Sequence, residues 1–150
     1  MMFQLKRNQQ GLAAIELTLI LPILLLLLFS VAEFSRLLYQ YNALTQTVRD
    51  ASRFIISNAR DGSTENIMIT AETTDNANAL LIYGQFTNAV QILPNLASAT
   101  VAISVSGEFI TLRVSYPWQP IFATTLPSFV SDNSFDLSFP LVTTYTMRAL

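Results

Sequence analysis

Residues Leu12 to Ala32 read LAAIELTLILPILLLLLFSVA, a run of 21 residues in which Glu16, Thr18, Pro22 and Ser30 are the departures from apolar character. A helix of that length rises roughly 30 Å, the thickness of a bilayer's hydrocarbon core. The run therefore predicts a membrane-spanning helix. Lys6 and Arg7 precede it, and nothing after it carries a competing positive cluster. The positive-inside tendency then places the amino-terminal end in the cytoplasm and the 118 residues after Ala32 outside.

Composition narrows the function classes. The chain is 12% charged, against about 25% in an ordinary soluble domain, and its mean hydropathy of +0.43 is too high for a disordered chain. At 150 residues it has room for one domain and an anchor. With a net charge of −2 and no basic cluster beyond Lys6-Arg7, it lacks the footprint of a nucleic-acid binder. The absence of cysteine excludes disulfides, thiolate nucleophiles and thiolate zinc sites. The absence of histidine removes the commonest general base and metal ligand.

Glu16 is the anomaly. A carboxylate at mid-membrane costs about 2.5–3.5 kcal/mol on insertion scales, and no Lys or Arg lies between Arg7 and Arg36 to pair with it locally. A secretory signal cut after Ala32, with Ser30 and Ala32 as its small residues, would begin the mature chain at Glu33. The run is too long for the usual 7–15 residue signal core, and Glu16 spoils that core without benefit. A plain single-pass anchor tolerates Pro22 and a Glu16 near the interface, but leaves unexplained why Gly11 stands at the polar-to-apolar switch with Glu16 five residues beyond.

Both features resemble the type IV prepilins, in which a short basic leader ends in Gly and the apolar helix that follows carries Glu at its fifth position. Glu16 is fifth from Leu12. The resemblance implies cleavage between Gly11 and Leu12 by a prepilin peptidase, loss of the Lys6 and Arg7 leader charge, and a mature chain of 139 of the 150 residues. It further implies methylation of the new Leu12 amine, and pairing of Glu16 with such an amine, its own or a neighbour's. A free α-amine is mostly protonated near neutral pH, with a reference pKa of about 7.7–8.0, so the pairing favours assembly over a lone monomer.

A narrower likeness extends to Arg53. The stretch with Glu16-Leu17, Pro22, Glu33-Phe34 and Arg36, Tyr41, Val48-Arg49, Ala51 and Arg53 is similar to the TadE-like minor pilins or pseudopilins of tight-adherence pili. Leu17, where aromatic residues are frequent, and Ser52 before Arg53 depart from the pattern and leave the subtype open. What the likeness implies is a pilin-like α+β fold: a long amino-terminal helix running from membrane to periplasm, packed on a small antiparallel sheet of about three strands, with a second helix.

Beyond the membrane run, Phe34, Leu37, Leu38, Tyr41, Leu44, Val48, Ala51, Phe54 and Ile55 recur at spacings of three or four, with Arg36, Gln40, Thr47, Arg49, Asp50 and Arg53 largely off the stripe. One unbroken helix of about 45 residues is expected, ending where Asn58 to Ser63 carry Asp61-Gly62. The segmentation is then a leader over 1–11, a transmembrane helix over 12–32, its extracytoplasmic continuation over 33–60, and a head over 61–150. A helix entering the head without a linker suits filament packing better than a mere tether.

In the head, Thr74-Asp75 is expected to cap a second helix over Asn76 to Leu93, weakened in its middle by Gly84 and stopped by Pro94. Val101, Ile103 and Val105, then Ile110, Leu112, Val114 and Tyr116, alternate as a hairpin around Ser106-Gly107. Phe135, Leu137, Phe139, Leu141, Tyr145 and Met147 make a third alternating run, with Pro140 demoting its middle to an edge or a bulge. Between them Pro117 to Ser134 reads as a long loop. Its Trp118, Phe122 and Phe129 either plug the core or meet a membrane surface or a neighbouring subunit.

No catalytic set emerges: Lys6 is the chain's one lysine and lies in the leader. Asp132 and Asp136 match no calcium-loop spacing. No catalysis, cofactor or metal is expected. The expectation is a minor pilin or pseudopilin that assembles or initiates a tight-adherence type IV pilus, for adhesion and biofilm, from the bacterial inner membrane. Its expected partners are the prepilin peptidase, other pilin subunits, inner-membrane pilus assembly proteins and membrane lipid, with no nucleic acid. The roles of minor filament subunit, initiator and pseudopilin outside the filament all stay open. The competing class is a single-pass anchored extracytoplasmic binding module with no pilus role, and a secreted enzyme beginning at Glu33 is a third.

Overall fold

The computed structural model describes residues 10–60, 66–87, 89–122, 124–127 and 133–149. The elements in order are helix α1 (Gln10–Ser57), helix α2 (Ala71–Tyr83), a 3-10 turn (Leu96–Ser98), and strands β1 (Thr100–Ser106), β2 (Phe109–Pro117), β3 (Thr125–Pro127), β4 (Ser134–Asp136) and β5 (Pro140–Arg148). The fold is α+β. The chain divides between Arg36 and Leu37 into two compact units.

The first described unit is α1 up to Arg36. Its backbone is helical through Pro22, whose ring nitrogen has no hydrogen to give the Thr18 carbonyl. The hydroxyls of Thr18, Ser30 and Ser35 turn back onto the carbonyls of Ile15, Leu26 and Val31 at 2.7–2.9 Å. Every polar hydrogen that those side chains carry is thereby satisfied within the helix, as an apolar solvent requires.

The second unit, Leu37 onward, is built on the sheet order β1-β2-β5, all antiparallel. Ile103 and Tyr145 flank Leu112 in register, so one sheet face carries the alternating apolar residues expected of the hairpin. Gly107 turns it with φ +59°, a conformation that L-residues with a Cβ avoid. Ile110, Leu112, Val114 and Tyr116 on β2 are all buried, joined by Leu44, Val48, Ala51 and Ile55 of α1 and Ala77 and Leu81 of α2. Fully burying a Leu or Val side chain contributes about 1.5–3 kcal/mol, so this cluster dominates the head's stability.

Four expectations need correction. The second helix runs over Ala71–Tyr83 rather than from Asn76 to Leu93. The Thr70 hydroxyl accepts from the Thr73 amide and caps it, and Gly84 at φ +71° ends it, its amide reaching the Leu80 carbonyl. Gly84 is a terminator, not a weak middle, because only glycine enters the left-handed region without strain. The third alternating run is cut: Pro140 opens β5 opposite Pro117, where the missing N–H is harmless, while Phe135 lies in β4 and Phe139 in the connection.

The long loop is the third. Its far part forms a small ribbon, β3 paired with β4, and its aromatics divide. Trp118 is buried and packs on Phe139 at 5.2 Å, whereas Phe122 is exposed; Phe129 lies outside the described residues. Last, α1 buries two polar positions that the spacing put off its stripe, besides the expected Leu44, Val48, Ala51 and Ile55. Gln40 and Thr47 are inside, while Phe34, Leu38 and Tyr41 are exposed. Thr47 tolerates burial because its hydroxyl bonds the Leu44 carbonyl.

Candidate assembly segment

Lys6 and Arg7 lie outside the described residues. Gly11 and Leu12 occupy the first turn of α1, so the bond between them is helical backbone. Gly11 does not sit at positive φ, and among the described residues a Cβ built on it would meet nothing within 4 Å. Glycine is a poorer helix former than alanine. Folding therefore makes no use of the residue that stands there.

From Gly11 to Ala32 every side chain is exposed, leucines and isoleucines on all sides included. A soluble helix hides one apolar stripe, and this one hides none. The stretch is long and apolar enough to cross a membrane. Glu16 is exposed on this surface, and among the described residues it has no ion-pair partner.

At the end of the run a pair forms that the sequence reading missed. The Arg36 guanidinium donates to the Glu33 carboxylate at 2.9 Å, one helical turn away, with both side chains largely covered. The i, i+3 spacing was the available signal. Ionic groups at this position can reach interfacial water while their stems stay in apolar surroundings.

The head offers little for chemistry. A concavity of about 520 Å³ is lined by Arg60, Asn66, Ile67, Val105, Gly107 and Glu108, and beside it Arg148 pairs with Glu108 at 2.6 Å. Among the described residues no group of three potential metal ligands gathers. Asp132 lies outside the described residues. The Asp136 carboxylate is occupied by Ser138, whose hydroxyl and amide donate to Oδ1 at 2.6 and 2.8 Å. The hydroxyl first, and then the amide, hold its pKa below the usual carboxylate value against slight desolvation.

The structure thus joins an apolar helix exposed on all sides to an α+β head in which the same helix packs on a three-stranded antiparallel sheet, an arrangement consistent with a single-pass membrane anchor. The family comparison is specific for that helix: residues 11–53 match the model of the TadE-like protein family. This segment is TadE-like, and it points to a protein associated with the tight-adherence pilus. No curated protein and no solved structure matches the chain.

Proposed function

We propose that this chain is a minor pilin or pseudopilin, cut by a prepilin peptidase between Gly11 and Leu12, which assembles or initiates a tight-adherence pilus through Glu16 and works without catalysis. The observation that supports it best is Gly11. A helix former would suit that position better, no contact or dihedral demands glycine, and the TadE-like match begins there. A residue that folding does not need is explained by an enzyme that must read it.

On this reading, residues 1–11 are the leader, 12–32 span the bacterial inner membrane with the amino terminus cytoplasmic, 33–60 continue the helix outside, and 61–150 complete the extracytoplasmic head. Glu16 stays costly in lipid until a protonated Leu12 amine meets it in a bundle of subunits. Its partners are then the peptidase, other pilin subunits and the inner-membrane assembly proteins.

Amino-terminal sequencing and intact mass, from hosts with and without the peptidase, test the reading. The expected result is a peptidase-dependent start at Leu12. A start at Met1 in both hosts would leave an anchored binding module, and a start at Glu33 would make the apolar run a signal peptide. Glu16→Ala should insert normally and lose piliation; unchanged piliation would remove Glu16 from assembly.

A further inference from the structure

The two ends of the head's sheet differ in charge. At the β1–β2 turn lie Arg60, Glu108 and Arg148. The other end, where Pro117 faces Pro140, is made by two stretches without charge: none lies between Arg113 and Asp132, or between Asp136 and Arg148. Ile121 is 67% exposed there, Phe122 53% and Phe139 43%, beside the buried Trp118.

The uncharged end is also the end at which the chain enters the head. Arg60, just past α1, shares a concavity with Gly107 and Glu108, and the Arg49 guanidinium lies over the Tyr145 ring at mid-sheet, 5.7 Å from its centroid. From Arg49 to its end at Ser57 the helix advances about 12 Å. In the other direction, eleven residues of helix from Arg49 back to Leu38 advance about 16 Å, toward the Pro117 and Pro140 end. Leu37 is five residues from Ala32, the last residue of the apolar run. That link is about 8 Å long as helix and at most about 18 Å however it is drawn out. Chain length alone thus holds this end within reach of the bilayer interface.

We infer that Ile121, Phe122 and Phe139 form a membrane-docking surface, seated in the headgroup region of the leaflet that the helix leaves. The inference rests on the reading of 12–32 as a membrane span. Apolar and aromatic side chains gain by entering the boundary between headgroups and acyl chains, and a surface without charges enters without an ionic desolvation cost. The charged end, a sheet's length away, stays in water. Asp136, which borders the surface, is already tied to Ser138.

The chain has no cysteine, so Phe122→Cys, Ile121→Cys and, at the opposite end, Ser106→Cys can each carry a single environment-sensitive fluorophore on the full-length protein. In phosphatidylcholine vesicles, labels at 121 and 122 should lose about half or more of their emission to a shallow nitroxide lipid, as expected for a depth of roughly 5–10 Å. They should resist aqueous iodide, and dilution with lipid should change neither result. The label at 106 should show the reverse sensitivities. Iodide quenching at 121 and 122 equal to that at 106 would overturn the docking surface. So would shielding that vanishes on lipid dilution, which would assign the surface to a second copy. Failure to float with vesicles would overturn the membrane span as well, whereas a floating protein with wet labels overturns the docking alone.

Discussion

From Leu12 to Ala32, α1 buries nothing, and from Gln40 to Ile56 it buries a position every three or four residues. The first stretch is apolar on all sides and closes its hydroxyls onto its own carbonyls; the second places charge on one side and Leu44, Val48 and Ile55 on the other. The same backbone element answers two solvents. In lipid the helix is required because no other open segment satisfies its own N–H and C=O groups. In the head it is held by what its stripe covers.

The sharpest way to break this comparison is a pair of truncations. Leu112→Ala, at the centre of the sheet, should destabilise the head by about 2–5 kcal/mol in denaturant unfolding of the full chain. Leu24→Ala should leave that unfolding midpoint unchanged. A loss of head stability from Leu24→Ala would mean that the first stretch is packed after all.

A smaller contrast lies between two glycines. Gly84→Ala forces a Cβ into the left-handed region and to 3.0 Å from the Ile92 side chain, which should cost about 1–2 kcal/mol. Gly11→Ala has open space and should raise helicity while slowing peptidase cleavage. Equal effects on unfolding would erase the distinction between a glycine the fold uses and one it does not. Next in size is the α2 cap: Thr70→Ala removes the acceptor for the Thr73 amide and should cost about 1 kcal/mol, read as a lower midpoint.

The smallest expected effect is electrostatic and confined to the head. Asp136 has a lowered folded pKa, so its stabilisation is present above the ordinary carboxylate value of about 3.9 and is lost as pH falls through the folded value. Ser138→Ala removes the hydroxyl donor and keeps the amide one, so it should move the Asp136 titration, followed by NMR, upward part of the way toward the ordinary range. An unmoved titration would remove the Ser138 hydroxyl as the main cause of the shift.

Much of this was legible in the residues. The continuous apolar-to-amphipathic α1 and the β1–β2 hairpin follow from local signals: unbroken helical spacing, and alternation around a glycine. Where local signals competed, reading failed. Thr74-Asp75 was read as the cap, a role that Thr70 fills, and nothing in the spacing said that Gly84 would adopt positive φ. For the assembly segment, Gly11, Leu12 and Glu16 were chosen from the sequence, and the Glu33–Arg36 pair was overlooked although its spacing was visible.

The amino-acid sequence by itself determined that a helix long and apolar enough to cross a membrane comes first and that a small hairpin sheet follows, because solvent preference and side-chain period are properties of neighbouring residues. Tertiary structure alone decided that Gln40 and Thr47 turn inward and Phe34, Leu38 and Tyr41 outward. It alone decided that Trp118 is core and Phe122 surface, and that the sheet's charged and uncharged ends lie as they do. Those outcomes depend on which residues distant in the chain meet, and contacts between distant residues leave no period along the sequence.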